Sequence, residues 1–296
     1  MGGLADADAD SARLIVPKPE ATDDISAGVR ALWAWEDRVP DMSRPSSFSA
    51  SLAEQIRIVH HEVDGVYGSI KITRELRARN HKANRKTIAK IMAKLGICSK
   101  AGRTFRVQTT DSNHANPVAP NTLDRQFTNA TAPNQFWSTD ITYIHTSEVV
   151  FYLSGVMDLF SRKIVGWSMD ATMTTKLVED ALASAVLSRK PAFGLLHYSD
   201  RGVQYTSGRY RQLLDLHEME ASMSRTGNCY DNAVVESFWG KLKTEMVYHR
   251  RFATREEARA AVFEYLEMFY NRQRLHAALN YLSPEQFEAS QIGQSI

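Results

Sequence analysis

Phe136-Trp137-Ser138-Thr139-Asp140-Ile141-Thr142-Tyr143-Ile144 alternates bulky residues with small polar ones and is rich in the β-branched and aromatic types that strands favour. Alternation groups Asp140 with Ser138 and Thr142, away from Trp137, Ile141 and Tyr143. An Asp inside a strand is unfavourable by propensity and costly to bury unpaired. It either faces water on an edge strand or has a chemical reason to be there. Runs at 149–159 and 163–169 read as two further strands, and their short connections suit antiparallel neighbours. Downstream the pattern switches to helix and strand in turn. A helix is expected at 174–188 with Leu177, Ala181, Leu182 and Ala185 as its apolar stripe, followed by a strand at 194–199 and a helix at 207–217. A strand at 221–224, a long helix at 231–247 and a last helix at 255–270 complete an α/β layout with a mixed sheet. There is no internal repeat.

Upstream the period becomes helical three times. Leu52, Ile56 and Val59 share one face, Gly65-Val66-Tyr67-Gly68 breaks the helix, and Ile70, Ile72 and Leu76 suggest a second. Asn84 is a good N-cap for a third, which buries Ile88, Ile91 and Leu95 and ends at Gly96. Lys86, Lys90 and Lys94 form a stripe opposite that apolar face. It is either an ordinary solvated surface or the cationic face that a helix-turn-helix presents to DNA. The chain therefore divides into a poorly ordered acidic leader (1–47), a small all-α helix-turn-helix domain (48–98), a linker (99–133), an α/β core with its C-terminal helix (134–289) and a tail (290–296). In the linker, Lys100, Arg103 and Arg106 can track a phosphate backbone.

The bulk properties narrow the class. A chain of 296 residues suggests two domains, and 43% hydrophobic with 24% charged residues excludes a disordered chain or a disulfide scaffold. No run approaches the ~18 apolar residues of a membrane span, and the N-terminus lacks a secretory signal, so a cytoplasmic protein is expected. Cys98 and Cys229 are read as reduced thiols without metal-binding spacing. The net charge of +2 conceals an asymmetry. Residues 1–47 carry nine acids against five bases, whereas 48–108 carry thirteen bases against four acids. A locally basic segment in a near-neutral chain is the footprint of a polyanion partner.

Two more carboxylates join Asp140. Asp200 ends the strand Leu195-Leu196-His197-Tyr198-Ser199 and precedes Arg201-Gly202, at a place where open α/β sheets expose functional groups. Glu236 lies on the long helix, whose buried stripe is Val235, Trp239, Leu242 and Met246. Singly, each has a bland explanation: an edge charge, a turn residue, an exposed helical Glu. Together they offer a strand, a strand end and a helix, the platforms that two-cation phosphodiester chemistry needs.

Asn134-Gln135-Phe136-Trp137-Ser138-Thr139-Asp140-Ile141-Thr142-Tyr143 resembles the first catalytic block of bacterial integrase-core transposases, and Asp158-Leu159-Phe160-Ser161-Arg162 with Val165-Gly166-Trp167 resembles its continuation. The segment from Ser199 to Tyr205 resembles the second block. Ser224 to Phe238, with Asn228-Cys229-Tyr230-Asp231-Asn232 inside it, resembles the third. Thirty-five residues separate Asp200 from Glu236, the spacing typical of the group. The likeness is to the insertion-sequence transposases of the IS-three group, second-reading-frame product, and runs from about Ser51 to Phe287. It ends in Phe269-Tyr270-Asn271-Arg272 and Leu282-Ser283-Pro284-Glu285. Tyr198 stands where the family often has His.

The resemblance implies a ribonuclease-H-like core with Asp140, Asp200 and Glu236 as catalytic ligands of two Mg2+ (or Mn2+) ions. It matches a family basic residue with Lys243, which is either a phosphate contact or an ordinary exposed lysine. It implies metal-dependent 3′-end cleavage and strand transfer on double-stranded DNA, at transposon ends and target, by a homo-oligomer associated with the nucleoid. The upstream-frame product, with its own helix-turn-helix and coiled coil, is an expected partner. Two other readings stay open: a non-catalytic DNA-binding accessory product, and a general nuclease that cuts without joining.

Overall fold

The computed structural model describes residues 47–100, 119, 130–224 and 233–292. The acidic leader up to residue 46, Arg103 and Arg106, and the segment containing Cys229 lie outside the described residues.

Three helices form where the period places them: α1 (Ser47–Glu62), α2 (Ser69–Ala78) and α3 (Arg85–Lys94). Leu52, Ile56 and Val59 of α1 pack with Ile72 and Leu76 of α2 and with Ile88 and Met92 of α3. Two expectations shift. Ile70 is exposed, and on α3 the second buried residue is Met92, with Ile91 only partly buried and Leu95 at the C-cap, where the helix ends. The Asn84 side chain accepts from the Thr87 amide at 2.9 Å, as a cap should. At the other end Ile97 N–H reaches Met92 O and Gly96 N–H reaches Ala93 O, the paired bonds of a Schellman ending with Gly96 at φ 65°.

The core is a five-stranded mixed sheet in the order β3-β2-β1-β4-β5. Its strands are β1 (Phe136–His145), β2 (Val150–Asp158), β3 (Ile164–Asp170), β4 (Leu196–Ser199) and β5 (Glu220–Met223). The first three run antiparallel as their short connections require, and β4 and β5 join parallel to β1. Helices α4 (Thr175–Arg189) and α5 (Gly208–Leu216) supply the crossovers. They cover the face bearing Trp137, Ile141, Val156 and Val165. Gly166 lets α4 lie directly on β3, since a Cβ there would sit 2.4 Å from the Ala185 nitrogen. The opposite face, with Ile144, Phe151 and Leu153, is covered by α6 (Ala233–Glu245) and α7 (Arg255–Phe263). This is a ribonuclease-H-like fold. β1 is its central strand, so the edge-strand explanation for Asp140 is wrong.

The last predicted helix is also not uniform. After α7 the chain widens into a π-helix, Glu264–Tyr270, with Asn271 N–H bonding back five residues to Leu266 O. The wider turn carries Tyr265 and Tyr270 inward together, with rings stacked at 6.2 Å. Asn271 then pairs with the backbone of Ile164, accepting from its N–H at 3.0 Å and donating to its O at 2.9 Å. A side chain thus satisfies part of the exposed edge of β3. A last helix, α8 (Pro284–Ile292), begins with Pro284 and a capping box. In it Ser283 Oγ accepts from Gln286 N–H and Gln286 Oε1 accepts from Ser283 N–H. Glu288 anchors α8 through two bonds from Arg189 and one from Ser161.

The helix-turn-helix is joined to the end of this core by Tyr67. Its hydroxyl donates to Gln273 O at 3.1 Å and accepts from Leu275 N–H at 2.8 Å, and Leu275 is buried within the three-helix cluster.

Candidate active site

The sheet centre fixes Asp140. It pairs across β1 and β2 with Gly155, and the Trp239 indole of α6 lies over that glycine and donates its N–H to Asp140 Oδ2 at 3.1 Å. A Cβ at Gly155 would fall 2.8 Å from the ring. Burial first, then the charge of Asp200, raises the Asp140 carboxyl well above the usual carboxylate range; Glu236 adds to the rise. The Ile141 amide and the Trp239 bond oppose it.

Asp200 follows the C-terminal end of β4, parallel to β1 and hydrogen-bonded to it. Its Oδ1 accepts from the Gly202 amide at 2.9 Å, so its side chain is set by its own tight turn. Arg201 Nε donates to Ser224 O at 2.6 Å and ties this turn to the end of β5. Glu236 lies in the first turn of α6 and is exposed, while Val235, Phe238, Trp239 and Leu242 pin the helix to the sheet. Residues 225–232, before α6, lie outside the described residues.

Asp200 and Glu236, far from Asp140 in sequence, therefore each act on its carboxyl through space. Among the described residues no three His, Cys, Asp or Glu side chains converge in metal-ligating geometry. The donor set nonetheless suits a hard divalent cation: all are carboxylates, and their mutual repulsion is relieved by positive charge.

Lys243 is not an ordinary exposed lysine. It is buried on α6 with Nζ 4.6 Å from the Tyr143 ring centroid. Burial lowers its pKa and the Asp140 charge raises it. Lys86, Lys90 and Lys94 stand exposed on α3, whereas Lys100 is held by Asp64 at 2.6 Å. Asp158, the remaining buried carboxylate of the first block, is structural. It accepts from the Asn134 and Phe160 amides and faces Arg189. His197, beside the departure at Tyr198, is buried with Nε2 3.0 Å from the Tyr210 hydroxyl.

Sequence reasoning placed Trp239 in a buried stripe and missed its polar end. Gly155 gave the only available signal, since an isolated glycine inside a strand marks a close approach.

Fold and site together define an integrase-type core preceded by a small helical domain. Family models agree: an integrase core domain matches residues 130–229, a second integrase core domain 236–292 and an HTH-like domain 49–105. The chain belongs to the insertion-sequence transposases of the IS-three group. It is 42% identical over 237 residues to the transposase for insertion sequence element IS904 of Lactococcus lactis, covering 80% of this chain and 93% of that one. It is 45% identical over 222 residues to transposase InsF for insertion sequence IS3A of Escherichia coli K12, covering 75% and 76%. Among solved structures it is similar to the simian T-cell lymphotropic virus intasome in complex with PP2A regulatory subunit B56 gamma, at 16% identity and TM-score 0.47, covering 79% and 74%. Among the described residues no helix is long and apolar enough to cross a membrane.

Proposed function

We propose that Asp140, Asp200 and Glu236 are the catalytic carboxylates of this transposase and hold two divalent cations, Mg2+ or Mn2+. The observation that carries the reading is the Asp140 carboxyl, buried at the sheet centre and repelled by both other acids. Bound there, the ions supply activation of the attacking oxygen and stabilisation of the leaving one.

The chain's own residues do the rest. β1, the end of β4 and α6 carry the three carboxylates, and the Trp239 indole orients Asp140. Lys243 neutralises charge beside Asp140 and contacts a neighbouring phosphate. Lys86, Lys90 and Lys94 present α3 to duplex DNA, with 48–98 as the reading domain and 134–289 as the catalytic one. Water opens the 3′ end of the element. The freed 3′-hydroxyl then displaces a target phosphodiester in a direct exchange of one P–O bond for another. A multimer of this chain, joined by the upstream-frame product, holds two ends together.

The assay uses duplex carrying the element's own end, target DNA and Mg2+ or Mn2+. Joined products support the proposal, cut products alone indicate a hydrolytic nuclease, and binding without either indicates an accessory protein. Asp140→Asn is expected to abolish cleavage and leave duplex affinity within about twofold. Unchanged cleavage would remove Asp140 from the mechanism.

A further inference from the structure

The junction between the helix-turn-helix and the core holds more positive charge than its own structure uses. Arg274 is buried and chelates the buried Glu245, which also accepts from the Tyr265 hydroxyl at 2.8 Å. That pair is closed. Around it stand three further cations from three different parts of the chain. Lys71 of α2 lies over the Tyr67 ring at 4.9 Å, against the Tyr67 clamp on Leu275. Lys241 of α6 donates to Ser237 at 2.7 Å. Arg162, between β2 and β3, gives its carbonyl to the Tyr270 hydroxyl. The ring of Tyr270 in turn meets His276 at 4.8 Å and the Arg274 guanidinium at 5.9 Å. Among the described residues, Nη1 of Arg162 is buried with no hydrogen-bond partner. Asp158, whose charge acts on Arg162, is already occupied by two backbone amides and Arg189.

Gathered cations repel, and partly buried ones lose hydration as well. Burial, with Arg274 and Lys241 nearby, lowers Lys71 to about 7. Burial, with Arg274 and Arg162, lowers Lys241 to about 8. His276 is held neutral, at about 2, by burial and by the same four cations. Such a cluster is matched to an anion that bridges its members.

We propose that this junction binds a backbone phosphate of the DNA substrate, with Lys71 and Lys241 as its ligands and the buried Arg162 adding positive charge behind them; this rests on the DNA reading above. Lys241 is about 7.5 Å of helix rise from Glu236. Successive phosphates of a strand advance about 3.4 Å along the duplex. Five residues also turn α6 by about 140°, so a strand engaged at the carboxylates would have to pass round the helix to bring a further phosphate to this junction, and in doing so would order both modules around one DNA.

The test compares the full chain with the Lys71→Gln/Lys241→Gln double variant and its Arg/Arg counterpart, on a 30-base-pair duplex across a salt series. Losing one phosphate contact lowers the slope of log affinity against log salt by about 0.9, with roughly tenfold weaker binding at 0.1 M salt. The Gln/Gln variant is expected to show this loss while melting at the same or a higher temperature, because repulsion is relieved. The Arg/Arg variant is expected to retain the wild-type slope. In the unaltered chain, duplex is expected to protect Lys71 and Lys241, but not the exposed Lys176, from amine acylation; inorganic phosphate at equal ionic strength is expected not to.

Unchanged slope in a folded Gln/Gln variant, or acylation unaffected by duplex, overturns the proposal. So does protection by inorganic phosphate equal to that by duplex. Absence of strand transfer with these binding results intact would instead defeat the catalytic reading alone.

Discussion

Trp239 touches both the packing and the chemistry of this protein. Its ring fills the space above Gly155, and its N–H meets Asp140. Trp239→Phe keeps most of the apolar surface and deletes the donor. Stability to unfolding is expected to fall by about 1–3 kcal/mol, while the Mn2+ concentration for half-maximal strand transfer rises several-fold as Asp140 loses its orientation. An unshifted cation titration would show that the bond is incidental. Gly155→Ala acts on the same pair from below. Its methyl group meets the ring at 2.8 Å, so a loss of about 1–3 kcal/mol is expected in urea unfolding, together with the same cation defect. The sequence exposed the carboxylates because each breaks a local rule or sits in a long matching string. It hid Trp239 because helical period reports that a side chain is buried, not what its polar atom meets. Lys243 was ambiguous for the same reason: a lysine on a helix reads as solvated until the neighbouring strand is in place.

In the core, the strands and the helices expected up to residue 270 were legible to within about two residues, since alternation and helical period are written locally, whereas α8 (Pro284–Ile292) was not anticipated. What escaped depends on partners distant in sequence. The π-helix Glu264–Tyr270 has the composition of an ordinary helix; its extra width aligns Tyr265 and Tyr270 against the Glu245–Arg274 pair. Asn271 was noted only as part of a family string, and its pairing with β3 required the fold.

β4 carries a testable electrostatic liability. Burial lowers His197 to about 4, against about 6.5 when the chain unfolds. The unfolded state therefore takes up a proton that the folded state refuses. Stability is full above pH 6.5 and falls as pH drops towards 4, by about 3 kcal/mol from this group. His197→Asn is expected to start less stable at pH 7.5, having lost the Tyr210 bond, and to lose less between pH 7.5 and 4.5 than the native chain. Equal acid sensitivity in urea titrations would show that His197 is not the cause.

Across the whole molecule, composition identified the basic segment and its polyanionic partner but not where else charge collects. Lys71 belongs to that segment, whereas Arg162 and Lys241 come from the near-neutral remainder, so no window along the chain could show them together. The same folding back brings Tyr67 to residues 273 and 275. Tyr67→Phe strands a buried N–H and a carbonyl, with an expected loss of about 1–3 kcal/mol in thermal unfolding of the full chain. A melting temperature unchanged within error would mean that water replaces the hydroxyl at no cost.

The Tyr67 clamp also makes the protein a caliper. If α3 is the reading helix proposed above, the Tyr67 bonds to residues 273 and 275 help to set the span from the bases it would read to the bond that would react. DNA repeats its surface every 10–10.5 base pairs. Five extra base pairs between recognised sequence and terminus would turn the terminus to the far side of the helix, out of the jaws. Ten would restore its facing but leave it a full turn too distant, so tolerance to such insertions measures how stiff the instrument is.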